Sequence, residues 1–195
     1  MEIFANARFA PSGGNRQGAH ITVVRDAAVR RQLAELGKAA ARRYFAQLQA
    51  GENPWNSIHS PGVSQDVIDA TEVPDTFVEP IATAPIVLVF SVDLGVVASV
   101  DQNLDRVGLA SGASIYPLIW NILLAARNEG FGGTITTMAI AVEDQTRRLL
   151  GIPDRHAIAA VVPLGKPVKQ LTKLRRRPIA DFVTDGRFDG PAFEG

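Results

Sequence analysis

From His20 to Arg25 the chain reads His-Ile-Thr-Val-Val-Arg, a β-rich run that predicts a short strand. After it, Val29, Leu33, Leu36, Ala40, Tyr44 and Leu48 recur at spacings of three or four, with Arg30, Arg31, Glu35, Lys38, Arg42 and Arg43 left to the other side. This predicts an amphipathic helix, with Asp26 placed to accept hydrogen bonds from its first free N–H groups. Pro85 to Val92 is an unbroken apolar run that ends at Asp93, as expected of a strand covered on both faces. A second helix is predicted from about Ser114 to Asn128, with Ser114 or Ser111 as its cap. Pro117 falls either in its first turn or at a kink, and Gly130 closes it. Ile115, Leu118, Ile119, Ile122, Leu123, Ala125 and Ala126 surround that helix almost completely, which fits a central element or a subunit interface.

The remaining pattern is coarser. Gly130 to Met138 reads as a glycine turn that enters a β-rich segment, Glu143 to Leu150 as a helix stopped by Gly151 and Pro153, and Ala157 to Leu164 as another buried strand. Between Gly51 and Pro80 the periodicity fails. Pro54, Pro61, Pro74 and Pro80 predict a loop-rich excursion with short helical pieces at most. With Trp55, Ile58 and Phe77, this excursion is a candidate substrate cover or a passive surface loop. The sum is an α+β layered domain, read as a single unit over residues 1–195.

Composition narrows the function. Twenty basic and 20 acidic side chains cancel, so no global charge draws the chain to nucleic acid or to an anionic membrane. The 46% hydrophobic content excludes an intrinsically disordered chain. Twenty residues without formal charge lie between Arg106 and Arg127, but Ser111, Gly112, Ser114, Pro117 and Asn121 interrupt them, so a buried helix is expected and not a membrane span. The first eight residues lack the basic-then-apolar order of a signal peptide, and the expected compartment is the cytoplasm. No cysteine is present, and His20, His59 and His156 are scattered, so no metal site is expected.

Candidate chemistry is confined to two loops. Gly-x-Ser-x-Gly and Walker-type motifs are absent, and Gly130-x-Gly132-Gly133 follows a helix where a dinucleotide fingerprint requires a strand. Ala10-Pro11-Ser12-Gly13-Gly14-Asn15-Arg16-Gln17-Gly18 is either a polar turn or a surface of backbone N–H groups and two amides suited to a planar heterocycle. Gly130 to Thr137 either lets backbone approach a ligand closely or is a helix stop followed by a strand.

Ala7-Arg8-Phe9-Ala10-Pro11-Ser12-Gly13-Gly14-Asn15-Arg16-Gln17 resembles the Pro-Ser-x-x-Asn-x-Gln loop of the FMN-dependent nitroreductase family. Gly112 to Pro117 and Asn121 to Gly133 are similar to that family's central helix and glycine turn, and Arg175-Arg176-Arg177-Pro178-Ile179 to its basic C-terminal phosphate contact. The three matches keep the family's order from about Ala7 to Val183. The resemblance implies an intertwined homodimer, with a mixed or antiparallel central sheet flanked by helices and FMN at the interface. By analogy Ser12, Gly13, Asn15 and Gln17 would line the flavin, Gly133, Thr134, Thr136 and Thr137 would run beside its ring, and Arg176 with Arg175 or Arg177 would hold the phosphate.

The implied activity is ping-pong transfer of reducing equivalents from NAD(P)H to a nitroaromatic, quinone or similar acceptor, with the chemistry carried by the flavin and no catalytic side chain. The alternative is a non-catalytic binder of flavin or another planar ligand. Family members usually open with a further helix bearing an Arg-rich phosphate clamp. Here Met1 stands seven residues before Arg8, so either the chain is shortened at its start or the phosphate grip rests on Arg176 and its neighbours.

Overall fold

A computed structural model describes residues 1–194. Four strands, β1 (Ala19–Val24), β2 (Ile86–Asp93), β3 (Gly132–Gly133) and β4 (His156–Gly165), form one sheet in the order β1-β2-β4-β3. Every pairing is antiparallel, which settles the expected mixed or antiparallel sheet. Six helices surround it: α1 (Glu2–Ala7), α2 (Ala27–Gln49), α3 (Gln65–Ala70), α4 (Asp75–Thr83), α5 (Tyr116–Asn128) and α6 (Glu143–Leu150). Among the described residues, no helix is long and apolar enough to cross a membrane.

The alternation of β2 explains the layers. Leu88, Phe90 and Val92 face α1 and α5, while Val87 and Val89 face α2, α4 and α6. Both faces are covered, as the unbroken apolar run of β2 required. Ile119 and Ile122 of α5 are fully buried on the first face, each contributing roughly 1.5–3 kcal/mol of hydrophobic stabilisation. Between Phe90 and Ser91 the register slips by one residue, leaving Ala159 bulged on β4. The Tyr116 hydroxyl donates to the Ala159 carbonyl at 3.1 Å and so ties the start of α5 to the bulge.

Several details differ from the sequence reading. Asp26 caps α2 as expected, accepting from Ala28 and Val29. Leu48, however, is exposed, because Gln47 turns inward to accept from the Trp55 N–H and to donate to Glu52. Neither Ser111 nor Ser114 caps α5; its first turn holds Pro117, and the Ser114 hydroxyl is used elsewhere. The β-rich segment after Gly130 shrinks to β3 and one bridge between Thr136 and Val161. Beyond Thr136 the chain turns into a short 3-10 helix (Met138–Val142) that buries Ala139 against the α2 side, and that burial replaces further ladder. The excursion of residues 51–80 holds α3 and the first part of α4, which runs on to Thr83 and seats Val78 and Ile81 beside Leu33 and Ala34 of α2.

Candidate functional site

The Ser12–Gln17 loop is compact and strained. Asn15 and Gln17 both adopt left-handed backbone (φ 51° each), next to Gly14 at φ 60°. For a non-glycine residue that conformation costs on the order of 1–3 kcal/mol and persists only where surrounding structure imposes it. Within the loop, the Ser12 hydroxyl accepts from the Gln17 N–H at 3.0 Å, and the Ser12 carbonyl accepts from the Asn15 N–H at 2.8 Å. The Gln17 Nε2 donates to the Asn15 Oδ1 at 3.1 Å. That bond joins the two amides, and among the described residues neither the Asn15 Nδ2 donor nor the Gln17 Oε1 acceptor has a hydrogen-bond partner. A donor beside an acceptor on a rigid edge matches the edge of a planar heterocycle.

Beside this loop lies a cavity of about 440 Å³. Phe4, Pro11, Ile21 and Leu118 give it apolar walls, and Ser12 and Gln17 bring the loop to its rim. Ser114, at the end of the turn that precedes α5, accepts from the Gly13 N–H at 3.1 Å and joins the loop to the central helix.

That turn is anchored in its own right by the buried Asp101, which accepts from the backbone N–H groups of Leu109 and Ala110 and pairs with Arg106 at 2.8 Å. The Leu109 N–H first, and then the Arg106 guanidinium, hold the Asp101 carboxyl down to about 2, against an ordinary value of 3.8. A lowered folded-state pKa means that the clasp stabilises the fold fully above pH 3.8 and is lost as the pH falls through about 2. The melting-temperature gap between the native protein and Asp101→Asn is therefore expected to be constant above pH 4 and to close toward pH 2, as read by thermal unfolding across that range; a gap that widened in acid would contradict the clasp.

The second candidate segment lies at the other edge of the sheet. Gly133 pairs with Leu164, and Thr136 exchanges backbone hydrogen bonds with Val161 at 2.9 and 2.8 Å. Gly133 and Thr134 line a separate cavity of about 640 Å³, together with Glu79 and Pro80 from α4. Thr137 is exposed at the start of the 3-10 helix. This cavity shares no lining residue with the first. Arg175, Arg176 and Arg177 are exposed and line neither cavity, and among the described residues none of them pairs with a carboxylate. One protomer thus groups Ser12, Gly13, Asn15 and Gln17, and groups Gly133 with Thr134, but does not bring the two groups or the arginines together.

The sequence pattern of the nitroreductase family matches residues 1–166. The chain belongs to the nitroreductase family. Among solved structures it is similar in fold to NfrA1 nitroreductase from B. subtilis, with 16% identity, a TM-score of 0.65, and 96% of this chain and 65% of that one covered. The NADPH:FMN oxidoreductase of Vibrio harveyi, solved with NAD+, superposes at a TM-score of 0.61 with 21% identity over 95% of this chain and 66% of that one. An iodotyrosine deiodinase bound to FMN and 3-iodo-L-tyrosine gives 0.62 and 18% over 91% and 82%. The chain thus spans about 65% of the length of the first two of these proteins. By sequence, no curated protein matches.

This nitroreductase-family chain also holds a polar cluster that sequence spacing did not reveal. The Ser91 hydroxyl lies 3.2 Å from the His156 Nδ1, and the His156 Nε2 lies 3.9 Å from Asp93, which pairs with Arg155 at 3.0 Å. The order Ser-His-Asp suggests hydrolysis, but Ser91 is 1% exposed and no substrate carbonyl could reach it. His156 thus meets Ser91 through its Nδ1 and stands between that buried hydroxyl and the Asp93–Arg155 pair.

Proposed function

We propose that the protein works as a homodimer that binds FMN between its protomers and passes reducing equivalents from NAD(P)H to a small electrophilic acceptor such as a quinone or nitroaromatic. The observation that carries this reading is the joined pair of left-handed amides at Asn15 and Gln17, of which Gln17 lines a cavity with mostly apolar walls. That donor set fits a flavin edge, and the cavity's apolar walls fit its ring.

Two further features support a shared slot. The two candidate segments sit against opposite edges of the sheet, so a single flavin touched by both requires two chains. The outer face of α5 presents Tyr116, Trp120 and Leu124 at spacings of four, an exposed apolar stripe of the kind that a subunit interface covers. Gly133, Thr134, Thr136 and Thr137 are assigned to the ring from one protomer, and Ser12, Gly13, Asn15 and Gln17 from the other. Arg175, Arg176 and Arg177 are exposed, pair with no carboxylate among the described residues, and carry guanidinium groups whose planar fork suits a phosphate.

When bound, FMN supplies the two-electron exchange with both NAD(P)H and the acceptor, in turn at one ring face. The chain's own work is to orient the ring edge through Asn15 and Gln17 and to keep its surroundings apolar through Phe4, Pro11 and Leu118. Residues 51–80 are read as part of the same single domain and as a cover, supported by Glu79 and Pro80 walling the second cavity. The nicotinamide donor points to the cytoplasm as the working compartment.

Titrating purified protein with FMN and following the quenching of flavin fluorescence tests the reading. Binding at micromolar concentration or tighter, with steady NAD(P)H consumption when a quinone is added, is expected. No binding at that level overturns it, and binding without turnover favours the non-catalytic planar-ligand binder.

A further inference from the structure

We propose that Ser114, held by the Asp101 clasp, is the positioning residue of the amide loop: it keeps Asn15 and Gln17 in their strained, ligand-ready conformation. This inference rests on the flavin reading for its affinity arm only.

Among the described residues, the Gly13 N–H to Ser114 Oγ bond is the one hydrogen bond that ties residues 12–17 to any other part of the chain. All other bonds of the segment close within it: Gln17 and Asn15 on Ser12, Arg16 on Gly13, and Gln17 on Asn15. A loop with two non-glycine residues in left-handed backbone needs an external restraint to stay there. The acceptor is the buried partner of the bond, since Ser114 is 8% exposed, while Gly13 is exposed.

Ser114 is in turn fixed from behind. Gly112 N–H donates to the Leu109 carbonyl and Ile115 N–H to the Gly112 carbonyl, winding residues 109–115 into one turn. Asp101 grips the first N–H groups of that turn at Leu109 and Ala110. The chain of restraint therefore runs Asp101, Leu109 and Ala110, Ser114, Gly13, and then the two amides. Its effect is preorganisation: the ordering cost of the recognition edge is met in the ligand-free protein instead of on binding.

The test compares native protein with Ser114→Ala, Ser114→Thr and Asp101→Asn in three measurements: hydrogen exchange, FMN titration and the visible spectrum of bound flavin. In Ser114→Ala, exchange at the Gly13–Gln17 amides is expected to rise roughly tenfold while β2 amides keep their protection. The FMN dissociation constant is expected to weaken roughly tenfold, with ligand-free melting temperature changed by less than about 2 °C. Ser114→Thr, which keeps the hydroxyl, should restore both affinity and spectrum, and Asp101→Asn should shift them in the direction of Ser114→Ala. Unchanged loop exchange in Ser114→Ala overturns the proposal, as does weaker binding that tracks a global loss of melting temperature and is not rescued by threonine. If native protein binds no FMN at all, the flavin reading falls, and the exchange arm alone still decides whether Ser114 holds the loop.

Discussion

Gly133→Ala is expected to lower the melting temperature by roughly 8 °C, the effect of about 3 kcal/mol of overpacking in a chain of this size. A Cβ at that position would stand 2.5 Å from Leu164 Cδ2, 2.9 Å from the Pro163 carbonyl oxygen and 3.0 Å from Leu123 Cδ2. Two of the three obstacles are side chains from different elements, β4 and α5, and the third is backbone, so no single rotamer change relieves the clash. The edge strand must move away from β4, and with it the bridge between Thr136 and Val161. Gly132→Ala is the control, because the three atoms nearest its Cβ all belong to the Pro167 ring, none closer than 3.3 Å, and it is expected to cost less than about 1 kcal/mol. Thermal unfolding of both variants is the measurement. Equal, small shifts would mean that β3 does not pack closely on β4.

That glycine also shows where sequence reasoning ends. Its neighbourhood reads equally well as room for a ligand or as an ordinary turn, and both readings concern what the missing side chain admits. The structure identifies a third occupant, the protein's own Leu164 and Leu123, and sequence spacing cannot supply contacts across 31 positions. Period-based signals fared better where one element faces one environment. The unbroken apolar run of β2, the Asp26 cap and the α6 boundaries arise from local rules and match the structure.

Local rules failed where a polar side chain had a distant partner. Ser114 before a helix reads as a cap, yet its hydroxyl accepts from Gly13, and nothing near it in sequence indicates that bond. Gln47 broke the helical stripe by turning inward, which left Leu48 outside. The amide loop itself was legible as residue types. Its left-handed geometry, and the resulting free donor and acceptor, were not, because propensity assigns such backbone to glycine or asparagine and not to Gln17. Asp101 carried no local signal either, since its partners, Arg106 and the backbone N–H groups of Leu109 and Ala110, lie five, eight and nine residues ahead in a loop without periodicity.

Trp120→Glu is expected to convert a dimer into a monomer and to abolish FMN binding at micromolar concentration. Trp120 is 57% exposed at the centre of the stripe formed with Tyr116 and Leu124 on the outer face of α5. A carboxylate in the middle of an apolar interface is desolvated without a partner, and penalties of that kind weaken association by at least about a hundredfold. The substitution should leave the protomer folded, because the buried face of α5, Ile119, Ile122 and Ala126, points to the sheet and is untouched. Sedimentation velocity reads the assembly, flavin fluorescence reads binding, and thermal unfolding at low concentration reads the protomer. The three readouts separate the causes. If flavin sat wholly within one protomer, monomerisation would leave its affinity nearly intact, because Trp120 lines neither of the two cavities. Two half-sites on opposite sheet edges instead require that dimer and flavin be lost together. A native protein that sediments as a monomer yet binds FMN, or a Trp120→Glu monomer that binds it normally, would remove the shared slot and leave the amide loop to form the site by itself, whereas a Trp120→Glu dimer would remove the outer face of α5 from the interface.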